Sequence, residues 1–308
     1  MESFEGKLAV VTGGGTGMGR QLVVQLAAAG AAVAACDVNA DTLAETAALA
    51  NEARPGDERI TTHHCDVSDE EQVLAFRDEV VEQHATDHIN LLFNNAGIGG
   101  GGSFVTAPRE EWDRTFGVTW GGVYHCSRAF VPLLVASDEG VIVNTSSVNG
   151  FWAALGPDVA HTAYSTAKFA VKGFTEALQT DLRLNAPHVR AVLVMPGHIG
   201  TDIVLNSFKV HGGSDAGMAA RMAAAGMDDP EQVAQMVEMM GSAFRDNAPV
   251  SASEAATMML DAVRDGRWRV LLGEDARYLD EAVRADPESA YGPGGLGLTP
   301  STGPAPGS

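Results

Sequence analysis

The sequence predicts an α/β fold, a doubly wound parallel sheet with helices on both faces, and three observations carry that expectation. Short β-branched or apolar runs alternate along the chain with longer amphipathic stretches, the pattern of a sheet covered on both sides. A glycine-rich turn, Thr12-Gly-Gly-Gly-Thr-Gly-Met-Gly19, follows the first of these runs directly. The 308 residues are 45% hydrophobic, ample material for one large core.

Taken in order, the apolar runs place strands over 7–12, 32–37, 60–65, 90–94, 140–146, 189–195 and 268–272. Helices fall between them, over 18–29, 40–53, 69–84, 109–136, 164–185 and 251–265. The apolar stretch 22–38 is interrupted by Gln25, Gly30 and Asp37, so it reads as a buried helix followed by a strand and not as a membrane span. Two regions break the rhythm. Residues 202–250 insert between the sixth strand and the last helix, carrying Met218, Met222, Met227, Met236, Met239 and Met240. Methionines at helical spacing fill cores, but this insert leaves the carboxyl end of a strand, where open α/β sheets bind ligands. A helical lid over an apolar pocket is the expectation. Residues 292–308 are dominated by Gly, Pro, Ser and Thr and read as a flexible tail. Nothing marks a linker within 1–291, so one domain is expected there.

Composition excludes several functions. A formal charge of −20 disfavours a phosphate backbone or an anionic membrane as partner. Cys36, Cys65 and Cys126 are odd in number and lack metal-ligand spacing. They fit a reducing compartment, and with no basic-then-apolar opening segment the expected location is cytoplasmic. No metal site is expected. His63 and His64 read as surface strand residues without a third ligand.

Chemistry concentrates in a few places. Tyr164 and Lys168 are four residues apart, which stacks them on one helix face. An ammonium beside a phenol favours the phenolate, making the pair a general acid/base for a substrate oxygen. Gly13, Gly17 and Gly19 allow a tight turn and close approach to a pyrophosphate at a helix amino terminus. Asp37 ends the second strand, where a carboxylate accepts hydrogen bonds from ribose hydroxyls. It would repel a 2′-phosphate, position 16 is Thr, and no Arg or Lys follows closely, which favours NAD(H) over NADP(H). Its other reading is a cap for the following helix. Asp66 is likewise either an adenine contact or a turn residue before Ser68.

Together these residues resemble the short-chain dehydrogenase/reductase family, in the form built on Thr-Gly-x-x-x-Gly-x-Gly and Tyr-x-x-x-Lys. The resemblance covers roughly residues 7–202 plus the final helix and strand, and implies a Rossmann-type fold. Residues Gly13, Thr16, Gly17, Met18 and Gly19 match the cofactor turn, and Asp66-Val67 the adenine contact. Asn95-Ala96-Gly97 resemble the stretch lining the adenosine ribose. The segment Pro196-Gly197-His198-Ile199-Gly200-Thr201 is similar to the one gripping the nicotinamide carboxamide, chiefly through Ile199 and Thr201. By resemblance, Ser147 polarises the substrate oxygen and Tyr164 moves the proton. Lys168 would then hold the nicotinamide ribose and lower the tyrosine pKa.

Two positions depart from the family pattern. Thr119 stands where an asparagine that helps hold a relay water is usual, implying activity with an altered proton relay. The spacing from Ser147 to Tyr164 is longer than usual, and Phe151, Trp152 and Leu155 in that loop could line an apolar substrate site or pack against a neighbouring subunit. His161 and His198 read as loop histidines bonded to backbone. The implied function is hydride transfer between NAD(H) and a medium or bulky hydrophobic secondary alcohol or ketone. The rival is a nucleotide-sensing or scaffold protein of the same fold. A homodimer or homotetramer through 109–136 and 164–185 is also implied.

Overall fold

The computed structural model describes residues 1–54, 59–156, 159–211, 229–291 and 295–297. Its strands are β1 (Leu8–Thr12), β2 (Ala32–Asp37), β3 (Ile60–His64), β4 (Leu91–Asn94), β5 (Gly140–Thr145), β6 (Val189–Pro196), β7 (Ile199–Gly200), β8 (Val250–Ser251) and β9 (Arg269–Leu272). Its helices are α1 (Gly17–Ala28), α2 (Ala40–Ala53), α3 (Glu70–Gln83), α4 (Arg109–Phe116), α5 (Gly122–Val135), α6 (Thr162–Asn185), α7 (Ile203–Val210), α8 (Pro230–Asp246), α9 (Ala252–Arg264) and α10 (Glu274–Ala285).

Seven strands form one sheet in the order β3-β2-β1-β4-β5-β6-β9, every neighbouring pair parallel. The fold is the Rossmann-type α/β architecture. Successive residues of β1 face opposite layers: Ala9 and Val11 meet α1 and α9, while Leu8 and Val10 meet the layer of α3, α5 and α6. Strands buried on both faces must be apolar almost throughout, which is why they stand out in the sequence. Each fully buried Val, Leu or Phe contributes about 1.5–3 kcal/mol. Helix starts are fixed locally: Asn39 accepts the Thr42 N–H, Asp69 those of Glu71 and Gln72, and Ser251 with Glu254 forms a capping box.

The chain fills the sheet outward from β1 to β3, then crosses back to place β4 on the other side of β1. That reversal opens a crevice at the carboxyl ends of β1 and β4, the usual ligand position in such sheets.

Several expectations change in three dimensions. The helix expected over 109–136 is two helices joined by a π-helical segment, Gly117–Gly121. Trp152 is fully buried with Val148, Ala276, Leu279 and Ala290, and its indole N–H donates to the Ala290 carbonyl (3.2 Å). Phe151 packs on the same cluster, so these aromatics face the chain's own α10 and not a substrate. Leu155 is half-buried. His63 is not a surface residue: it is buried against Phe76, bonded to Glu79 and Thr61. Met218, Met222 and Met227 lie outside the described residues. On α8, Met236 is half-buried, whereas Met239 and Met240 are exposed and so are not core filler. Most of the segment 292–308 also lies outside the described residues, but Leu296 packs onto the Trp152 cluster. No helix among the described residues is long and apolar enough to cross a membrane.

Candidate active site

The crevice is built first by the glycine turn. Gly13 and Gly17 have φ of +66° and +55°, which a side chain disfavours. A Cβ on Gly13 would sit 2.9 Å from the Ala96 Cα, and one on Gly19 would sit 1.9 Å from the Gly13 carbonyl oxygen. The Thr12 hydroxyl binds the turn to the next segment, accepting the N–H groups of Asn95 (3.0 Å) and Ala96 (3.1 Å). The Asn95 amide donates to the Thr12 and Gly13 carbonyls, leaving its Oδ1 buried with no hydrogen-bond partner among the described residues. Helix α1 begins at Gly17 with no side-chain cap from Thr16, so its first N–H groups lack intrahelical partners at the crevice. An anionic dinucleotide fits this set: a cradle that a Cβ would fill, a helix amino terminus and an unused buried acceptor.

Asp37 lies in the crevice wall, Oδ2 accepting the Gly15 N–H (2.9 Å) and Oδ1 the Asn39 N–H (3.0 Å). Asn39, not Asp37, caps α2. Asp66 serves both its readings. It bonds the Ser68 N–H and hydroxyl, and beside Val67 it lines the crevice. Its second oxygen accepts from Arg114 (2.7 Å). Burial pushes the Asp66 carboxyl up, but the Ser68 and Arg114 hydrogen bonds outweigh it and hold the group below the usual range.

Ser147, Tyr164 and Lys168 come together beside this crevice. Ser147 follows β5, and its Oγ accepts the Asn149 N–H (3.1 Å), so it also caps a short 3-10 turn. The amino terminus of α6 is pinned by Thr162 and Ala163, whose N–H groups donate to the Gly102 and Gly101 carbonyls. Gly101 in turn donates to the buried Glu111 carboxylate (2.8 Å). Lys168 is buried, its Nζ donating to the Thr145 carbonyl (2.8 Å) and lying 5.4 Å from the Tyr164 ring centroid. Burial alone pushes the ammonium down to about 7. Burial likewise pushes the Tyr164 phenol up to about 12, against a smaller downward pull from the Ser147 hydrogen bond. This corrects the expectation that Lys168 lowers the tyrosine. The ammonium donates to Thr145, sits over the ring face, and is itself penalised by desolvation.

Thr119 lies in the π-helical segment and is fully buried. Its hydroxyl donates to the Ile98 carbonyl (3.0 Å) and accepts the Ile98 N–H (3.3 Å). The one donor is therefore committed to backbone, not to a relay water. Gly97 separates it from the lysine: a Cβ there would lie 3.4 Å from Lys168 Nζ and 3.8 Å from Thr119 Oγ1.

The far wall is the segment after β6. Pro196 ends that strand, and the Gly197 N–H donates to the Leu272 carbonyl. Ile199 is buried in β7, and Thr201 and Met18 line the crevice. His198 bonds the Phe244 carbonyl (2.7 Å), as expected of a backbone-bonded loop histidine. The ring of His161 stacks on Tyr164. Helix α7 closes over the crevice: Asn206 donates to the Thr16 hydroxyl (3.0 Å) and Ser207 accepts the Gly99 N–H (2.8 Å).

Sequence reading misses Arg114, Asn206, Lys209 and Asp275. The first three line the crevice, and Asp275 accepts the His198 N–H (2.6 Å). Only the placement of α7 after a strand's carboxyl end hinted at Asn206 and Lys209. No cluster of potential metal ligands occurs among the described residues.

Comparison with known proteins agrees with this geometry. The short chain dehydrogenase family matches residues 7–211. SadH of Mycobacterium tuberculosis, an oxidoreductase by its name, is 34% identical over 284 residues, 92% of each chain. A short chain dehydrogenase/reductase from Burkholderia phymatum, solved in complex with NAD, is 28% identical with a TM-score of 0.77, covering 95% of this chain and 98% of its own. A short chain dehydrogenase from Burkholderia cenocepacia, solved with NADP, shares the fold at 24% identity and a TM-score of 0.66, covering 93% and 96%. A glycine turn under a helix amino terminus, a serine, and a Tyr-x-x-x-Lys pair, on a sheet of this order and in a chain so matched, make the protein a member of the short-chain dehydrogenase family of oxidoreductases.

Proposed function

We propose that this oxidoreductase interconverts a hydrophobic secondary alcohol and its ketone with NAD(H). The observation that carries the reading is the convergence of Ser147, Tyr164 and Lys168 beside a crevice whose wall holds Asp37. The nicotinamide, when bound, supplies the hydride donor or acceptor. Gly13, Gly17 and Gly19, with the amino terminus of α1, hold the pyrophosphate. Asp37 accepts hydrogen bonds from ribose hydroxyls and repels a 2′-phosphate. Asp66 and Val67 border the adenine, Asn95 to Gly97 line the ribose, and Pro196, Gly197, Ile199 and Thr201 border the carboxamide.

Lys168 has two ammonium N–H groups beyond its bond to Thr145, and these address the nicotinamide ribose. Ser147 hydrogen-bonds the substrate oxygen, and Tyr164 gives or takes its proton. Thr119, through its two bonds to the Ile98 backbone, holds the neighbouring Gly97 beside Lys168. The apolar substrate reading draws on Phe104 and Val105, which are 76% and 90% exposed. They lie just beyond Gly102, to which the tyrosine-bearing helix is pinned.

Nicotinamide absorbance with purified protein, a panel of bulky and small secondary alcohols, and NAD⁺ against NADP⁺ tests this. Turnover of bulky alcohols with NAD⁺ preferred is expected. Failure across the panel would favour the sensor reading, and NADP⁺ preference would overturn the Asp37 assignment alone. Asp37→Ser is expected to raise relative use of NADP⁺ about ten- to a hundredfold, equivalent to about 1.4–2.8 kcal/mol, because a like-charge contact is removed.

An assembly of two or four copies fits the outer faces of α5 and α6, where Tyr124 and Phe169 are 44% and 41% exposed. Sedimentation is expected to give a mass at least double the 32.1 kDa chain, and a monomer would remove this part. A cytoplasmic location suits three unpaired cysteines.

A further inference from the structure

His161 occupies the N-cap position of α6, where Ser, Thr, Asp or Asn is usual. Its side chain makes no capping hydrogen bond. The first two N–H groups of the helix, those of Thr162 and Ala163, donate to the loop carbonyls of Gly102 and Gly101. The imidazole lies on the Tyr164 phenol, ring centroids 4.8 Å apart and planes 10° from parallel. Lys168 Nζ lies 5.4 Å from the same phenol ring. Positions 161, 164 and 168 form one helical stripe, with His161 one turn before the tyrosine and Lys168 one turn after it.

We propose that His161 is a positioning residue for proton transfer: its ring fixes the plane of the Tyr164 phenol so that the hydroxyl stays aimed at the substrate oxygen beside Ser147. This rests on the reading of Tyr164 as the proton-transfer group. The phenol needs such a wall. A tyrosine ring turns about a broad, soft torsion that leaves the phenol oxygen on its axis but redirects the O–H, and Ser147 is the one hydrogen-bond neighbour of that hydroxyl among the described residues. Proton transfer demands heavy-atom contact within about 2.6–3.2 Å with the O–H pointed at its acceptor, so a turn of the ring plane that carries the in-plane O–H away from the substrate oxygen breaks it. Near-parallel contact by a second ring opposes that rotation.

The test compares His161→Ala, which removes the wall, with His161→Phe, which keeps a flat ring and cannot ionise. Turnover, KM for the alcohol, NAD affinity and melting temperature are measured for both. The expected result is a kcat about tenfold lower in His161→Ala, equivalent to about 1.4 kcal/mol at the transition state, with KM and NAD affinity little changed. His161→Phe is expected to restore most of that loss. A His161→Ala kcat equal to that of the native chain would overturn the proposal. So would a loss that His161→Phe fails to restore, since the imidazole would then act by its own chemistry. Should His161→Ala melt lower, kcat is compared well below its melting temperature, and rescue by Phe still decides. A native protein inactive on every alcohol would instead sink the enzymatic reading, which separates the two failures.

Discussion

Tyr164→Phe is expected to reduce turnover about a hundred- to ten-thousandfold, the range of a general acid/base. The substitution removes one oxygen and keeps the ring that His161 stacks upon. Bulk, helix propensity and the cofactor crevice are unchanged, since Tyr164 does not line that crevice. Dinucleotide affinity, followed by quenching of tryptophan fluorescence, should therefore stay close to that of the native chain. The split is diagnostic. A protein that only senses the nucleotide would lose neither binding nor any measurable rate, whereas an oxidoreductase keeps binding and loses kcat. Residual turnover near the native level would remove Tyr164 from the proton path and return the question to Ser147 and bound water.

Strands were legible because burial on both faces forces nearly continuous apolar runs, so β1, β2 and β5 lie within a residue of their expected limits. The glycine turn was legible for a related reason: the close contacts at Gly13 and Gly19 tolerate no side chain. What escaped depends on partners distant in sequence. The π-helical turn at Gly117–Gly121 is fastened by Thr119 bonding the backbone of Ile98, which no local propensity encodes. Phe151 and Trp152 read as lining either a substrate site or a subunit contact until α10, absent from the sequence reading, supplies Ala276 and Leu279 to pack on them. His63 lies in a polar-looking Thr-Thr-His-His run, and only the fold brings Glu79 and Phe76 over it.

The same division holds within the site. Residue identity and spacing located Ser147, Tyr164 and Lys168, but their protonation behaviour follows from depth. The i,i+4 spacing suggested an ammonium easing the phenol's ionisation. Depth instead makes desolvation the largest influence on both groups, raising one and lowering the other. Helix α7 was placed by the strand-end rule, yet its fastening to Thr16 and Gly99 through Asn206 and Ser207 needed the folded chain.

Lys168→Met makes that depth measurable. Burial lowers the Lys168 ammonium from 10.5 to about 7. Between those values the unfolded chain holds a proton that the folded chain has shed, so folding stability contributed by this group rises with pH. Below about 7 both states are protonated, and the native chain bears the full cost of a buried charge. Methionine fills similar space without charge. The variant is therefore expected to be more stable than the native chain at pH 7, by an amount on the order of a few kcal/mol. That gap should narrow steadily towards pH 10, seen by thermal unfolding without cofactor. The comparison stops there because Tyr164, raised above its ordinary 10.0, begins to act in the opposite sense. Turnover is expected to fall about a hundredfold or more at every pH, as when a preorganised donor is removed. A gap that stays constant from pH 7 to 10 would show that Lys168 is solvated and titrates normally. Loss of turnover combined with a narrowing stability gap would show that the fold gives up stability to keep a lysine beside Tyr164, the position proposed to meet the nicotinamide ribose.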